Sequence, residues 1–198
     1  MKKVITLAAL LLALPLVAPA QDAGYQYHGE GYGFLGYAPA HLEYAPPGSA
    51  TQQLAASTSA HQYGFGGEIL VAKGIGVGGE ILNSTQPFPG EGAGLSTWIG
   101  SINGSYHFGP STKKRKVEPF VTGGYTFYYV ANVDLYHENG GNVGGGVNIW
   151  LSRLAALRLE VRDDIGGQFL SVEFQSGGNY FLRSSQHLVS LRIGMTFR

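Results

Sequence analysis

The sequence has no cysteine among its 198 residues. That excludes a disulfide framework and any thiolate metal site. Charge is sparse and balanced, 13 basic residues against 13 acidic ones, and loss of Lys2 and Lys3 with a cleaved leader would leave 11 against 13. Such a balance gives nucleic acid no electrostatic footing. Beyond residue 20 no stretch approaches the ~18 continuous apolar residues of a membrane helix. Long helical patterns are missing as well. The 31 glycines argue against helices in general, because glycine is a poor helix former. What is left to build with is β structure.

The chain opens with Met1-Lys2-Lys3. Residues 4–17 are apolar apart from Thr6 and Pro15, and Ala18-Pro19-Ala20 sets small residues before Gln21. This is the layout of a secretory signal peptide, and the apolar run is too short to span a bilayer. Residues 1–20 are expected to be a cleaved leader, and 21–198 one exported domain.

The closing stretch, 187–198, sets the pattern for the rest. Val189, Leu191, Ile193, Met195 and Phe197 share one parity; Ser190, Arg192, Gly194, Thr196 and Arg198 share the other. Strict period-2 alternation marks a strand with one apolar and one polar face. Seven earlier segments alternate in the same way: 25–38, 61–72, 75–84, 95–108, 117–130, 143–151 and 157–166. Each is long enough to cross a bilayer when tilted, which takes roughly 9–11 residues. The connections between them alternate in length. Those at 39–60, 85–94, 131–142 and 167–186 are long, and those at 73–74, 109–116 and 152–156 are short. Transmembrane barrels sort their connections this way, with turns in the periplasm and loops outside.

Alternation alone does not say which face meets water, since a soluble eight-stranded carrier barrel alternates too. Three features favour the inverted arrangement, apolar side outward. Aromatic residues gather near segment ends (Tyr25, Tyr27, Tyr37, Tyr63, Trp98, Tyr106, Phe108, Phe127, Tyr129, Phe197), where interfacial girdles sit. The connections sort by length. The polar faces are built from Gly, Ser, Thr and Asn, whereas a soluble surface would be rich in lysine. The charges also fix register. A one-residue slip of 157–166 would turn Arg158 and Arg162 to lipid at ~2–4 kcal/mol each, much of a domain's margin of roughly 5–15 kcal/mol. Two segments are less regular. Tyr32 and Phe34 lie on the parity of Glu30, and Ile99 lies on the polar side of its segment.

Val117-Glu118-Pro119-Phe120-Val121-Thr122-Gly123-Gly124-Tyr125 resembles the fifth strand of OmpA-like small outer-membrane barrels. Asn142-Val143-Gly144-Gly145-Gly146-Val147 followed by Leu157-Arg158-Leu159-Glu160-Val161-Arg162-Asp163 resembles their sixth strand, turn and seventh strand. The terminal strand, with an aromatic residue at its end, is similar to the one that closes such barrels and is read by the barrel-assembly machinery. The resemblance implies an all-β, eight-stranded, antiparallel up-and-down transmembrane β-barrel in a Gram-negative-type outer membrane, both termini periplasmic. Val189, Leu191, Ile193, Met195 and Phe197 would then be the closing strand and assembly signal. Larger family members add a peptidoglycan-binding domain, an activity not expected of this chain.

The motifs weigh mostly toward structure. Gly31–Gly36 and Gly74–Gly79 both fit GxGxxG, but neither opens a helix, so nucleotide binding is not expected. Lys113-Lys114-Arg115-Lys116 reads as a solvated turn, with contact to anionic head groups or a wall polymer as the sharper alternative. The six histidines are scattered and no metal is expected. No GxSxG elbow occurs. Ser105-Tyr106-His107 is the nearest nucleophile–base pair, and it splits its residues at the periplasmic end. No enzyme and no cofactor is expected.

Two candidate sites remain. Glu68, Glu80, Glu118, Arg158, Glu160, Arg162 and Arg192 should converge inside the barrel as an ionic plug, because buried charges need partners; a gate for small solutes is the alternative. Phe169, Leu170, Phe174, Tyr180 and Phe181 flank Gly177-Gly178 in the last long connection. They read as a hairpin that could pack on lipopolysaccharide or meet a surface partner.

Overall fold

A computed structural model describes residues 28–44, 54–72, 74–87, 94–108, 116–130, 137–166, 168–174, 178–184 and 187–198. The expected leader, with Tyr25 and Tyr27, lies outside them. The described residues contain no helix and form ten strands: β1 (His28–Tyr44), β2 (Leu54–Ala72), β3 (Ile75–Pro87), β4 (Gly94–His107), β5 (Val117–Val130), β6 (His137–Trp150), β7 (Ala155–Ile165), β8 (Gln168–Phe174), β9 (Gly178–Ser184) and β10 (His187–Phe197). Strands β1 to β7 pair antiparallel in chain order. β10 pairs with β7 on one edge and with β1 on the other, which closes an eight-stranded barrel. β8 and β9 form a hairpin within the β7–β10 connection, and β9 extends the ladder of β1 through Leu42–Tyr44.

The register measures the barrel's stagger. A circuit of paired residues runs from Gly31 through Gly67, Gly79, Ile102, Tyr125, Gly141 and Ile165 to His187. Gly31 itself pairs with Phe197, ten residues further along β10. Eight strands with a shear of ten tilt by ~40–45° and leave an interior that side chains can fill.

The faces sort as parity requires, with polarity inverted relative to a soluble fold. Along β10, Ser190, Arg192 and Thr196 are buried while Val189, Leu191, Ile193 and Phe197 are exposed. Along β7, Arg158, Glu160, Arg162 and Asp164 are buried while Leu159 and Val161 are exposed. Leu35, Phe65, Ile69 and Leu191 are each more than 60% exposed, and Arg162 is 1% exposed. Twenty-six large apolar or aromatic side chains face outward among the described residues. That is far more than the single patch a water-soluble monomer tolerates, so the outer wall is a lipid-facing surface and the barrel is transmembrane. Aromatics mark both rims. Trp98 and Tyr129 are paired at the loop end, and Tyr106 meets Phe108 edge-on at 5.0 Å at the turn end.

Glycine makes room on the inner side. A Cβ on Gly66 would lie 2.6 Å from the ring of Tyr32, which lies over β2 at that level. Gly74 adopts φ +87° in the two-residue β2–β3 turn, a conformation that favours glycine. Its carbonyl accepts a bond from the His107 amide at 2.7 Å.

The structure corrects the expected connections. β1 and β2 run to 17 and 19 residues, well beyond what a bilayer crossing needs, and β6 begins at His137. The loops at 45–53, 88–93 and 131–136 are therefore no longer as a group than the turn at 108–116. The long side of the barrel is long because its ladders continue past the membrane. Those extensions lack apolar alternation because no hydrocarbon faces them. The irregular register of β1 resolves as well: Glu30, Tyr32 and Phe34 all point inward, where Tyr32 and Phe34 join Leu82, Ile99 and Tyr128 in an apolar block.

Candidate functional site: an alternating ionic chain in the lumen

β7 supplies four ionised side chains at every second residue, Arg158, Glu160, Arg162 and Asp164, all on the inner face. Neighbouring strands add the partners. Glu80 on β3 is the hub. Its Oε1 accepts from Arg192 Nη1 at 2.8 Å and from Arg162 Nη1 at 3.3 Å, and its Oε2 accepts from the Tyr32 hydroxyl at 3.2 Å. Arg192 also donates to Asp164 Oδ2 at 2.9 Å. Arg162 Nε and Arg158 Nε hold the two oxygens of Glu160 at 2.9 and 3.0 Å.

A second cluster lies nearer the turn end. His107 sits between two carboxylates, Nδ1 2.8 Å from Glu118 Oε1 and Nε2 3.3 Å from Glu68 Oε2. Ser105 donates to the same Glu68 oxygen. Glu118 further accepts from Trp150 Nε1 at 3.2 Å and from Arg198 Nη2 at 2.9 Å, and Arg198 Nε reaches Glu30 at 2.6 Å. The ion pair Arg158–Glu68, at 3.7 Å, joins the two clusters.

Read end to end, the contacts form one chain: Asp164, Arg192, Glu80, Arg162, Glu160, Arg158, Glu68, His107, Glu118, Arg198, Glu30. Its signs alternate throughout when His107 carries both ring protons, the form in which each nitrogen can donate to a carboxylate. Alternation is what burial demands. Each ion loses several kcal/mol of hydration, and only opposite charges on both sides recover it. Aromatic rings fill in beneath the cations. Arg158 lies 4.0 Å above Phe120 and 4.2 Å above Tyr32, and Arg192 lies 4.8 Å above Phe34. Arg198 covers the Trp150 ring at 3.7 Å. Such contacts strengthen on desolvation, which explains why aromatic residues share the polar parity of β1.

The structure thus brings together Glu68, Glu80, Glu118, Arg158, Glu160, Arg162 and Arg192. It adds Glu30, His107, Asp164 and Arg198, which sequence reasoning missed. Parity carried the signal for His107, Asp164 and Arg198, while the mixed face of β1 hid Glu30. Arg198 lies on the parity of Arg192, one residue past the terminal aromatic, and Asp164 on that of Arg162. Ser105 and His107 meet through Glu68, not directly. Both His107 nitrogens face carboxylates, so neither is left to take a proton from the Ser105 hydroxyl. Among the described residues no group of His, Asp and Glu is arranged to hold a metal. The GxGxxG matches lie within β1 and at the β2–β3 turn and β3. Phe169, Leu170 and Phe174 fall on β8 and Tyr180 and Phe181 on β9, with Ser171 paired to Phe181 and Val172 to Tyr180. Their side chains lie outside the described part of the structure.

No protein-family model and no curated protein sequence matches the chain. Solved structures do. The outer membrane protein OprG from Pseudomonas aeruginosa superposes with a TM-score of 0.62 at 14% identity, over 89% of this chain and 98% of that one. The outer membrane protein AlkL, solved in lipid bilayers, gives 0.50 at 12% identity, over 91% and 94%. At such identities the likeness is one of architecture. It agrees with the closure, the strand count and the inverted polarity derived above: this chain has the fold of the small eight-stranded outer-membrane β-barrels.

Proposed function

We propose that the protein is an integral outer-membrane wall protein with a closed lumen and a structural or surface-interaction role. In this reading the turns and both chain ends face the periplasm, and the loops face outward. Membrane lipid and lipopolysaccharide surround it. β10, with Val189, Leu191, Ile193, Met195 and Phe197 outward, is the segment the assembly machinery reads, and the β8–β9 hairpin meets external surfaces. No catalysis and no cofactor is involved. The observation that carries the closed lumen is the unbroken ionic chain from Asp164 to Glu30, whose ions are buried, apart from the partly exposed Arg198, and cross-linked from strand to strand.

A planar bilayer tests it. The folded protein should give no stable conductance steps at moderate voltage, and Arg162→Ala or Glu118→Ala should open small ones by unpairing the chain. Steps in the unaltered protein would favour the second reading, a narrow pore. Its support is specific: Gln62 Nε2 and Oε1, Asn142 Oδ1 and Asn148 Nδ2 are buried without a hydrogen-bond partner in the protein. Buried polar atoms of that kind are what a thread of water satisfies.

A further inference from the structure

The charges outside the ionic chain are sorted by end along the sequence. The three turns, 73–74, 108–116 and 151–154, contain Lys73, Lys113, Lys114, Arg115, Lys116 and Arg153 and no acidic residue. The segments of the other end carry in sequence Glu43, Glu91, Asp134, Glu138, Asp163 and Glu173 against Arg183. Asp22, upstream of β1, lies outside the described residues, as do Lys73, Glu91, 113–115 and Asp134 and the side chains of Glu43, Glu138, Glu173 and Arg183; these count here only through their place in the chain. Lys116 and Arg153 are described, and both are exposed.

Arg153 sits in a well-braced turn. Ser152 Oγ accepts from the amides of Leu154 and Ala155 at 3.2 and 3.0 Å, and the Leu154 carbonyl accepts from the Arg198 amide at 3.1 Å. The brace presents Leu151 and Leu154, 68% and 65% exposed, on either side of the Ser152-Arg153 pair. Two leucines in a polar turn have no use in open water. Beside a bilayer they reach the acyl boundary while the cation stays among head groups.

We infer that the turn end is a docking face for anionic phospholipid head groups of the surrounding leaflet, with Lys116 and Arg153 as charge contacts and Leu151 and Leu154 as anchors. The inference rests on the membrane reading. A soluble acidic polymer would use the cations but would leave the leucines unexplained. Selectivity is therefore expected to be electrostatic and short in range, acting within a screening length of the turns.

The test uses the full chain in phosphatidylcholine vesicles carrying spin-labelled phosphatidylglycerol or spin-labelled phosphatidylcholine. The barrel should retain phosphatidylglycerol about fivefold over phosphatidylcholine at low salt, roughly the effect of one cation at an anionic surface. In 1 M salt, where the screening length is about 3 Å, the preference should vanish. Lys116→Gln with Arg153→Gln should reduce it, and adding Lys113→Gln, Lys114→Gln and Arg115→Gln should abolish it. A heat-shifted gel band confirms that each variant is folded, and the salt arm needs no variant at all. Equal retention of the two lipids by the unaltered protein overturns the inference, as does a preference the variants leave intact. Sedimentation with cell-wall sacculi in the absence of any lipid preference overturns it in favour of a polymer. Failure of the membrane reading looks different: no heat-shifted, vesicle-inserted species forms.

Discussion

Glu80→Ala should destabilise the barrel by ~3–5 kcal/mol, the usual effect of leaving buried charge unpaired. Among the described residues Glu80 is the one carboxylate that both Arg162 and Arg192 contact, and it also takes the Tyr32 hydroxyl. All three partners are buried, so truncation takes from each guanidinium one of its two carboxylates and leaves Glu160 alone for Arg162 and Asp164 alone for Arg192. Urea titration of folding into vesicles reads the change directly. Replacing Glu80 and Arg192 together by methionine should recover part of the loss, because it is the orphaned charge that is costly. An ion pair on the outer wall supplies the contrast. His187 lies 2.8 Å from Asp163, but its side chain is 60% exposed. Asp163→Asn should therefore change stability by ~0–1 kcal/mol. If Glu80→Ala fell in that same range, the interior chain would not be holding the barrel together.

Leu191→Arg should be comparably harmful for the opposite reason. Leu191 lies mid-strand on β10, between Val161 and Tyr37, and points away from the lumen. Arginine there meets hydrocarbon, at ~2–4 kcal/mol near the midplane. In a water-soluble barrel the same substitution at an exposed site would fall within about 0.5 kcal/mol. Leu151→Arg, in the β6–β7 turn at the edge of the apolar band, should be nearly neutral by comparison, because the penalty fades toward the interface. The pair of variants therefore measures depth as well as polarity. Equal tolerance at both positions would mean that no hydrocarbon slab surrounds the wall.

Much of this architecture is legible in the sequence, and for a definite reason. Side chains alternate across a strand wherever both faces are constrained, here by lipid on one side and packed polar groups on the other. Within that slab the reading is sharp, and β5 spans Val117–Val130 as its alternation indicates. Outside it one constraint disappears and the signal fades. The extensions of β1 to Tyr44 and of β2 back to Leu54 pass through His41, Thr58 and Ser59, with no apolar row to mark them. The lumen shows a second limit. Parity assigns a residue to the inner face but does not say whom it meets there. Glu68 and Arg158 share a face by alternation, yet β2 and β7 are joined only by the curvature of the closed wall. Parity also handles mixed faces poorly. Tyr32, Phe34 and Ile99 look misplaced until Arg158 and Arg192 are seen lying over the rings of Tyr32 and Phe34, with Ile99 packed in the same block.

The central claim is the inversion of the wall, and the absence of native cysteine allows it to be measured one residue at a time. Spin labels introduced through Val189→Cys, Leu191→Cys and Ile193→Cys, with Ser190→Cys and Thr196→Cys for comparison, can be relaxed by oxygen, which concentrates in lipid, or by a nickel complex, which stays in water. In vesicles, oxygen should dominate strongly at 189, 191 and 193, while positions 190 and 196 should be shielded from both agents. Dominance of the nickel complex at 189, 191 and 193 would put those side chains in water and contradict the account.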